Sequence, residues 1–238
     1  MKSIRVIAVV GILVLGAVVP PLSSGSDVHG SKEKHFAETI VLVTGFEPFG
    51  QYDTNPAQVI AKTLNGQLIG GATVIGISVP VDFDESIAVV QRAIRQCNPV
   101  VVISIGLAAH IRLIHVENLG VNFKRDPNNG NTHSFFEVLD PFGPLIRVSS
   151  LPTESIVEAM HDAKIPARQS WFAGTYVCNA LLYGVLGYLA EQNLSIKAGF
   201  LHVPLLASQS SGGMELETLL EATKIAIQVS LDELIENT

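Results

Sequence analysis

Short runs of β-branched and aliphatic residues alternate along this chain with longer stretches of helical periodicity, and that alternation leaves few architectures open. The strand-like runs are 39–44, 72–79, 100–105, 116–123 and 198–203. Around them, apolar residues recur at helical spacing over 56–64, 84–96, 153–163, 176–191 and 215–235. A helix between two strands supplies the long crossover that a parallel pair requires. Parallel sheets, in turn, are covered on both faces. The pattern predicts a single-domain α/β/α sandwich around a mostly parallel central sheet, with a mixed strand allowed. It shows neither an internal repeat nor a second domain.

Composition removes several classes of function. The 238 residues suffice for one ordinary domain with a full core. Net charge is −7, and no lysine or arginine cluster stands against it, so nucleic acid is not the expected partner. The histidines are scattered without metal-ligand spacing, and no metal is expected. Neither Gly-x-x-x-x-Gly-Lys nor Gly-x-Gly-x-x-Gly occurs, so no nucleotide cofactor is expected either. A homo-oligomer is compatible with the sequence.

The first residues obey different rules. Lys2 and Arg5 precede an unbroken apolar stretch over 6–19, then Pro20, Pro21 and the small polar run Ser23-Ser24-Gly25-Ser26. A basic start, a short apolar centre and a small-residue exit predict a secretory signal peptide over 1–25. The apolar stretch falls short of the ~20 residues that span a bilayer comfortably, which makes a membrane anchor the second reading. Residues 26–38 are polar and charged and read as a linker. The expected catalytic domain is 39–238, acting outside the cytoplasm.

Three residues carry chemistry by their setting. Cys178, in Ala173-Gly174-Thr175-Tyr176-Val177-Cys178-Asn179, precedes an apolar helical run with Thr175 as the expected N-cap. The first turn of a helix favours a thiolate, the nucleophilic form of cysteine; otherwise a free cysteine is a small buried hydrophobe. His202 stands at the carboxyl end of a buried strand, the edge where active sites gather in open α/β sheets. Without a partner it would be an ordinary core histidine. Glu117 interrupts a strand-like apolar run, where burial demands a cationic or imidazole partner and an edge position would not. Cys97 closes a predicted helix, and a bridge to Cys178 would silence the latter. A core of this size needs no staple, so two free thiols are expected.

The segment 124–150 breaks the alternation with Asp126-Pro127-Asn128-Asn129-Gly130-Asn131 and Asp140-Pro141-Phe142-Gly143-Pro144, both turn-forming. Loops of such length in compact domains are usually functional or mobile.

Several of these stretches together resemble the type I pyroglutamyl peptidases, also called pyrrolidone-carboxylate peptidases. The opening Val41-Leu42-Val43-Thr44-Gly45-Phe46-Glu47-Pro48-Phe49-Gly50 with Asn55-Pro56 is similar to that family's first signature. The Cys178 segment resembles its nucleophile motif, Gly199-Phe200-Leu201-His202-Val203-Pro204 its histidine motif, and Val116-Glu117 with Val121-Asn122 its glutamate segment. The likeness runs over roughly 39–234. It implies a cysteine peptidase that removes N-terminal pyroglutamate from peptides. Under that resemblance Cys178 is the nucleophile, His202 the base and then the acid, and Glu117 the residue that orients His202. The Cys178 backbone N–H, with Arg125 as a second candidate, would hold the oxyanion.

A pyroglutamyl ring is flat, uncharged and largely apolar, so its pocket wants aromatic walls and a few fixed hydrogen-bond partners. Phe46, Phe49 and Tyr176 are the expected walls, Phe46 and Phe49 because Gly45, Pro48 and Gly50 mark a turn there. The chain departs from the family at Phe123-Lys124-Arg125-Asp126-Pro127-Asn128-Asn129, a shortened 123–131 loop, and at Leu205-Leu206-Ala207-Ser208-Gln209. Two other functions therefore stand beside the first. One is a related cysteine hydrolase with altered lactam or acyl specificity; the other is an exported binding protein that keeps the pocket without the chemistry.

Overall fold

The structure, a computed structural model, describes residues 39–125 and 137–236. The expected signal peptide and linker lie outside the described residues. In chain order the elements are β1 (Ile40–Phe46), α1 (Pro56–Leu64), β2 (Leu68–Ile69), β3 (Ala72–Val79) and α2 (Phe83–Cys97). There follow β4 (Val101–Leu107), β5 (Ile114–Glu117), β6 (Leu119–Val121), β7 (Ile146–Val148) and α3 (Thr153–Asp162). The last are β8 (Ala167–Ser170), α4 (Val177–Glu191), β9 (Lys197–Val203) and α5 (Leu216–Glu236).

Seven strands form one sheet in the order β2-β3-β1-β4-β9-β5-β8. Its centre, β3-β1-β4-β9, is parallel, while β5 meets β9 antiparallel and then pairs parallel with β8. Alternate residues of each strand face opposite layers. Val41, Val43, Ile103, Val116 and Leu201 pack under α1, α3 and α5. Leu42, Val102, Ala198 and Phe200 pack under α2 and α4. The sandwich is the expected one, with β5 as the strand that makes it mixed.

Three local departures from the sequence reading have physical causes. The single strand expected over 116–123 breaks at Asn118, whose N–H bonds the Ser170 carbonyl at 2.7 Å and whose carbonyl accepts the Ser149 N–H at 2.8 Å. Beyond it the chain leaves the main sheet, and β6 pairs with β7 in a separate two-stranded ribbon. Gly45 is not part of a turn: it lies inside β1, and a Cβ there would fall 2.0 Å from the Ala57 carbonyl oxygen of α1. The turn comes later, at Gly50, with φ of +61°. Helix α4 starts at Val177 with Tyr176 at its N-cap and no side-chain capping bond, so Thr175 does not cap it.

Helix α4 is apolar nearly all round, and helices of that kind are buried on most sides. The sheet and α2 cover two sides, and the β6–β7 ribbon covers a third. Gly120 of β6 has the α4 backbone at Tyr183 only 3.0 Å from where a Cβ would lie.

Candidate active site

Cys178 is the second residue of α4, at the end where backbone N–H groups lack intrahelical partners. The turn of chain before it is anchored from outside the helix: Thr175 accepts a 2.7 Å hydrogen bond from the Arg125 N–H. Asn179, fully buried, fastens the start of α4 to β6. Its side chain accepts from Val121 N–H at 2.8 Å and donates to the carbonyls of Val121 and Phe123, each at 2.9 Å.

Opposite Cys178 stand β4, β9 and β5. His202 and Gly106 are in register on adjacent strands, as are His202 and His115. A Cβ on Gly106 would lie 2.8 Å from the Cys178 sulfur and 2.7 Å from Phe200 Cζ. Position 106 therefore admits the sulfur only because it has no side chain. Phe200 in turn packs on His202, with ring centroids 4.9 Å apart.

Glu117, 1% exposed, holds His202 through a 2.8 Å contact from Oε1 to Nδ1. That leaves Nε2 for the Cys178 sulfur, the second hydrogen-bonding partner of the ring. Burial alone would favour neutral imidazole. The sulfur and the Glu117 carboxylate outweigh it and push the His202 pKa up to about 10. Burial likewise opposes ionisation of Glu117, yet its bond to His202, the charge on that ring and the Ser170 hydroxyl keep its pKa below the usual value. The three residues expected from sequence meet at one point, with the imidazole charged between an anion and a sulfur.

They open into a cavity of about 760 Å³ whose walls include Cys178, His202, Glu117, Phe49 and Tyr176. Phe49 and Tyr176 line it as expected. Phe46 is not part of the wall: it is 2% exposed, ends β1 in the core and packs on Phe200 at 6.5 Å between centroids. Tyr52 replaces it, edge-on to Phe49 at 6.1 Å. Arg125 has an exposed side chain that is not among the cavity walls, so only its backbone serves the site. Asp126, of the altered loop, lies outside the described residues.

Trp171, Phe172, His115 and Arg168 also line the cavity and had no place in the sequence reading. Two adjacent aromatic residues just before the Cys178 motif were a visible signal for the first pair. His115 and Arg168 gave none, because strand β8 itself was not legible. Cys97 is remote from this set. Its thiol donates to the Ala93 carbonyl at 3.0 Å, burial pushes its pKa up, and both cysteines are free. Among the described residues no cluster of histidine, cysteine and carboxylate side chains could hold a metal ion.

A family model described as pyroglutamyl peptidase matches residues 39–233. The pyrrolidone-carboxylate peptidase of Mycobacterium tuberculosis H37Rv is 43% identical over 173 residues, 71% of this chain and 78% of the relative. That of Vibrio campbellii is 39% identical over 198 residues, 81% and 92% of the two chains. Among solved structures, the pyrrolidone carboxyl peptidase of Thermococcus litoralis superposes with a TM-score of 0.78 at 34% identity, covering 84% of this chain and 96% of that one. Pyroglutamyl peptidase I of Bacillus amyloliquefaciens gives 0.76 at 34% identity, with coverages of 81% and 97%.

Proposed function

The chain belongs to the pyroglutamyl peptidase family, and on that premise we propose that it hydrolyses the bond after an N-terminal pyroglutamyl residue with Cys178, His202 and Glu117. It is a cysteine-type omega peptidase, a hydrolase. The observation that carries the assignment of residues is the Glu117–His202 contact of 2.8 Å, aimed at a cysteine in the first turn of α4 within one cavity.

The geometry supports the following steps. The Cys178 sulfur adds to the pyroglutamyl carbonyl carbon, and the carbonyl π electrons move onto oxygen. Free N–H groups at the start of α4 receive that oxyanion, an interaction worth about 10²–10³ in rate per donor. Imidazolium His202 passes its Nε2 proton to the leaving amine as the C–N bond breaks, leaving an S-acyl enzyme. Water then adds to the thioester with its proton passing to His202, and pyroglutamate leaves as the C–S bond breaks. Glu117 keeps the ring oriented throughout and stabilises its charge whenever Nε2 holds the proton. Phe49, Tyr52 and Tyr176 offer the flat apolar surface that a lactam ring fits. A free α-amino group would lose its hydration against such walls at a cost of several kcal/mol.

Hydrolysis of pyroglutamyl-aminomethylcoumarin by the purified protein tests the reading, with Cys178→Ser as the control. Release of coumarin by both proteins, or by neither, overturns it.

We also propose that the protein is exported, on the strength of Lys2, Arg5 and the apolar run ahead of Pro20. Among the described residues no helix is long and apolar enough to cross a membrane. The mature chain should begin between Ser24 and Ser26, and amino-terminal sequencing that finds intact Met1 on cytosolic protein overturns this.

A further inference from the structure

The outer wall of the cavity carries an exposed cation in an acidic protein. Arg168 is exposed, lines the cavity and has no carboxylate within ion-pair distance among the described residues. Its guanidinium is aimed nonetheless. Nε donates to His115 Nε2 at 3.0 Å, so His115 is an acceptor there and carries its own proton on Nδ1. Burial and the adjacent Arg168 charge both hold the His115 pKa down, and the ring stays a neutral prop. The two terminal nitrogens of Arg168 remain, in a fixed fork matched to a carboxylate.

The sheet sets where that fork stands. Arg168 is in register with His115, and His115 with His202, so all three side chains share the α4 face of β8, β5 and β9. Strands lie about 4.8 Å apart, which puts the Arg168 backbone about 10 Å from that of His202. An extended residue spans about 3.5 Å, so a leaving residue that runs from His202 toward β8 brings its groups within reach of Arg168. Among the described residues of the cavity wall the single carboxylate is Glu117, already committed to His202.

Resting on the proposed hydrolysis, we infer that Arg168, propped by His115, selects pyroglutamyl peptides with a carboxylate on the residue following the scissile bond. That carboxylate is either the C-terminus of a pyroglutamyl dipeptide or an acidic side chain. An exposed Arg–carboxylate pair contributes modestly, about three- to fivefold in affinity.

The test compares kcat/KM for pyroglutamyl-alanine with its amide, and for pyroglutamyl-glutamate amide with pyroglutamyl-glutamine amide. Each ratio is taken within one enzyme preparation, so the fraction of active protein cancels. Wild type is expected to favour the acid in at least one pair by about fivefold, the pair identifying the source, and Arg168→Gln to bring that ratio close to one. Wild-type ratios of one or less in both pairs overturn the inference whatever the variant does, and an unchanged ratio in Arg168→Gln removes Arg168 from it. Pyroglutamyl-aminomethylcoumarin has no carboxylate to offer: its turnover with flat ratios sinks this inference alone, and its failure to turn over sinks the hydrolysis with it.

Discussion

The two cysteines occupy opposite ends of helices, and the contrast between their surroundings separates a reactive sulfur from an inert one. Cys97 is the last residue of α2, the end where backbone carbonyls point outward, and its thiol donates to the Ala93 carbonyl one turn back. Burial there favours the protonated form. Cys178 is the second residue of α4, where N–H groups point outward, and it faces an imidazolium held by a buried carboxylate. One residue type thus takes two chemistries according to which end of the peptide dipole it meets.

The contrast is broken most directly by exchanging sulfur for oxygen at each site. Cys178→Ser should lower kcat/KM on the coumarin substrate by about 10⁴-fold or more, and Cys97→Ser by less than twofold. Comparable losses would mean that the two thiols are not different in kind. Removing the cation from one site is the next largest step. His202→Ala should cost on the order of 10³-fold in rate and slow iodoacetamide alkylation of Cys178 without touching Cys97. Equal alkylation rates at Cys178 in both proteins would detach the sulfur from the imidazole.

Gly106→Ala sharpens the comparison by moving the sulfur while leaving its chemistry intact. The added methyl meets Sγ and the Phe200 ring, so kcat/KM should fall about 10²-fold and stability by roughly 1–3 kcal/mol. A silent Gly106→Ala in thermal melts and kinetics would show slack that the packing denies.

Stability against pH gives a smaller and signed effect. The His202 pKa is raised from 6.5 to about 10, so the folded protein retains a proton that the unfolded chain releases above 6.5. The stabilisation is complete below 6.5 and is lost as pH climbs toward 10. Melting temperature should therefore fall more steeply over that window in wild type than in His202→Ala, and parallel curves would refute the charge on the ring. The smallest effect belongs to Arg125→Ala. Its side chain is exposed and off the cavity wall, so kcat/KM should change by less than about twofold.

The central strands β1, β3, β4 and β9 were legible because each is an apolar run closed by turn residues, and the helices because their apolar spacing is regular. Strand β8 was not: Arg168 and Gln169 break any apolar run, and only pairing with β5 makes the segment a strand. The break at Asn118 was hidden for the same reason, since backbone bonds to Ser170 and Ser149 come from distant segments. Of the site, Glu117, Cys178 and His202 were visible as residues out of keeping with their neighbours. Phe46 was misread because a phenylalanine beside a turn and one ending a core strand look alike without the partner, here Phe200. The missing Thr175 cap has a plain counterpart in the chemistry: a side chain bonded to those N–H groups would compete with an oxyanion for them.

The absence of a side chain at position 106 bears on stereochemistry. The β4 backbone at Gly106 backs the Cys178 sulfur, so a carbonyl reaches it from the cavity side. Which face that carbonyl presents is then set by the oxyanion donors of α4 and the aromatic walls, and these act on a sulfur whose own position is already fixed. The sheet thus supplies the fixed point against which the pocket walls can tell mirror-image acyl groups apart.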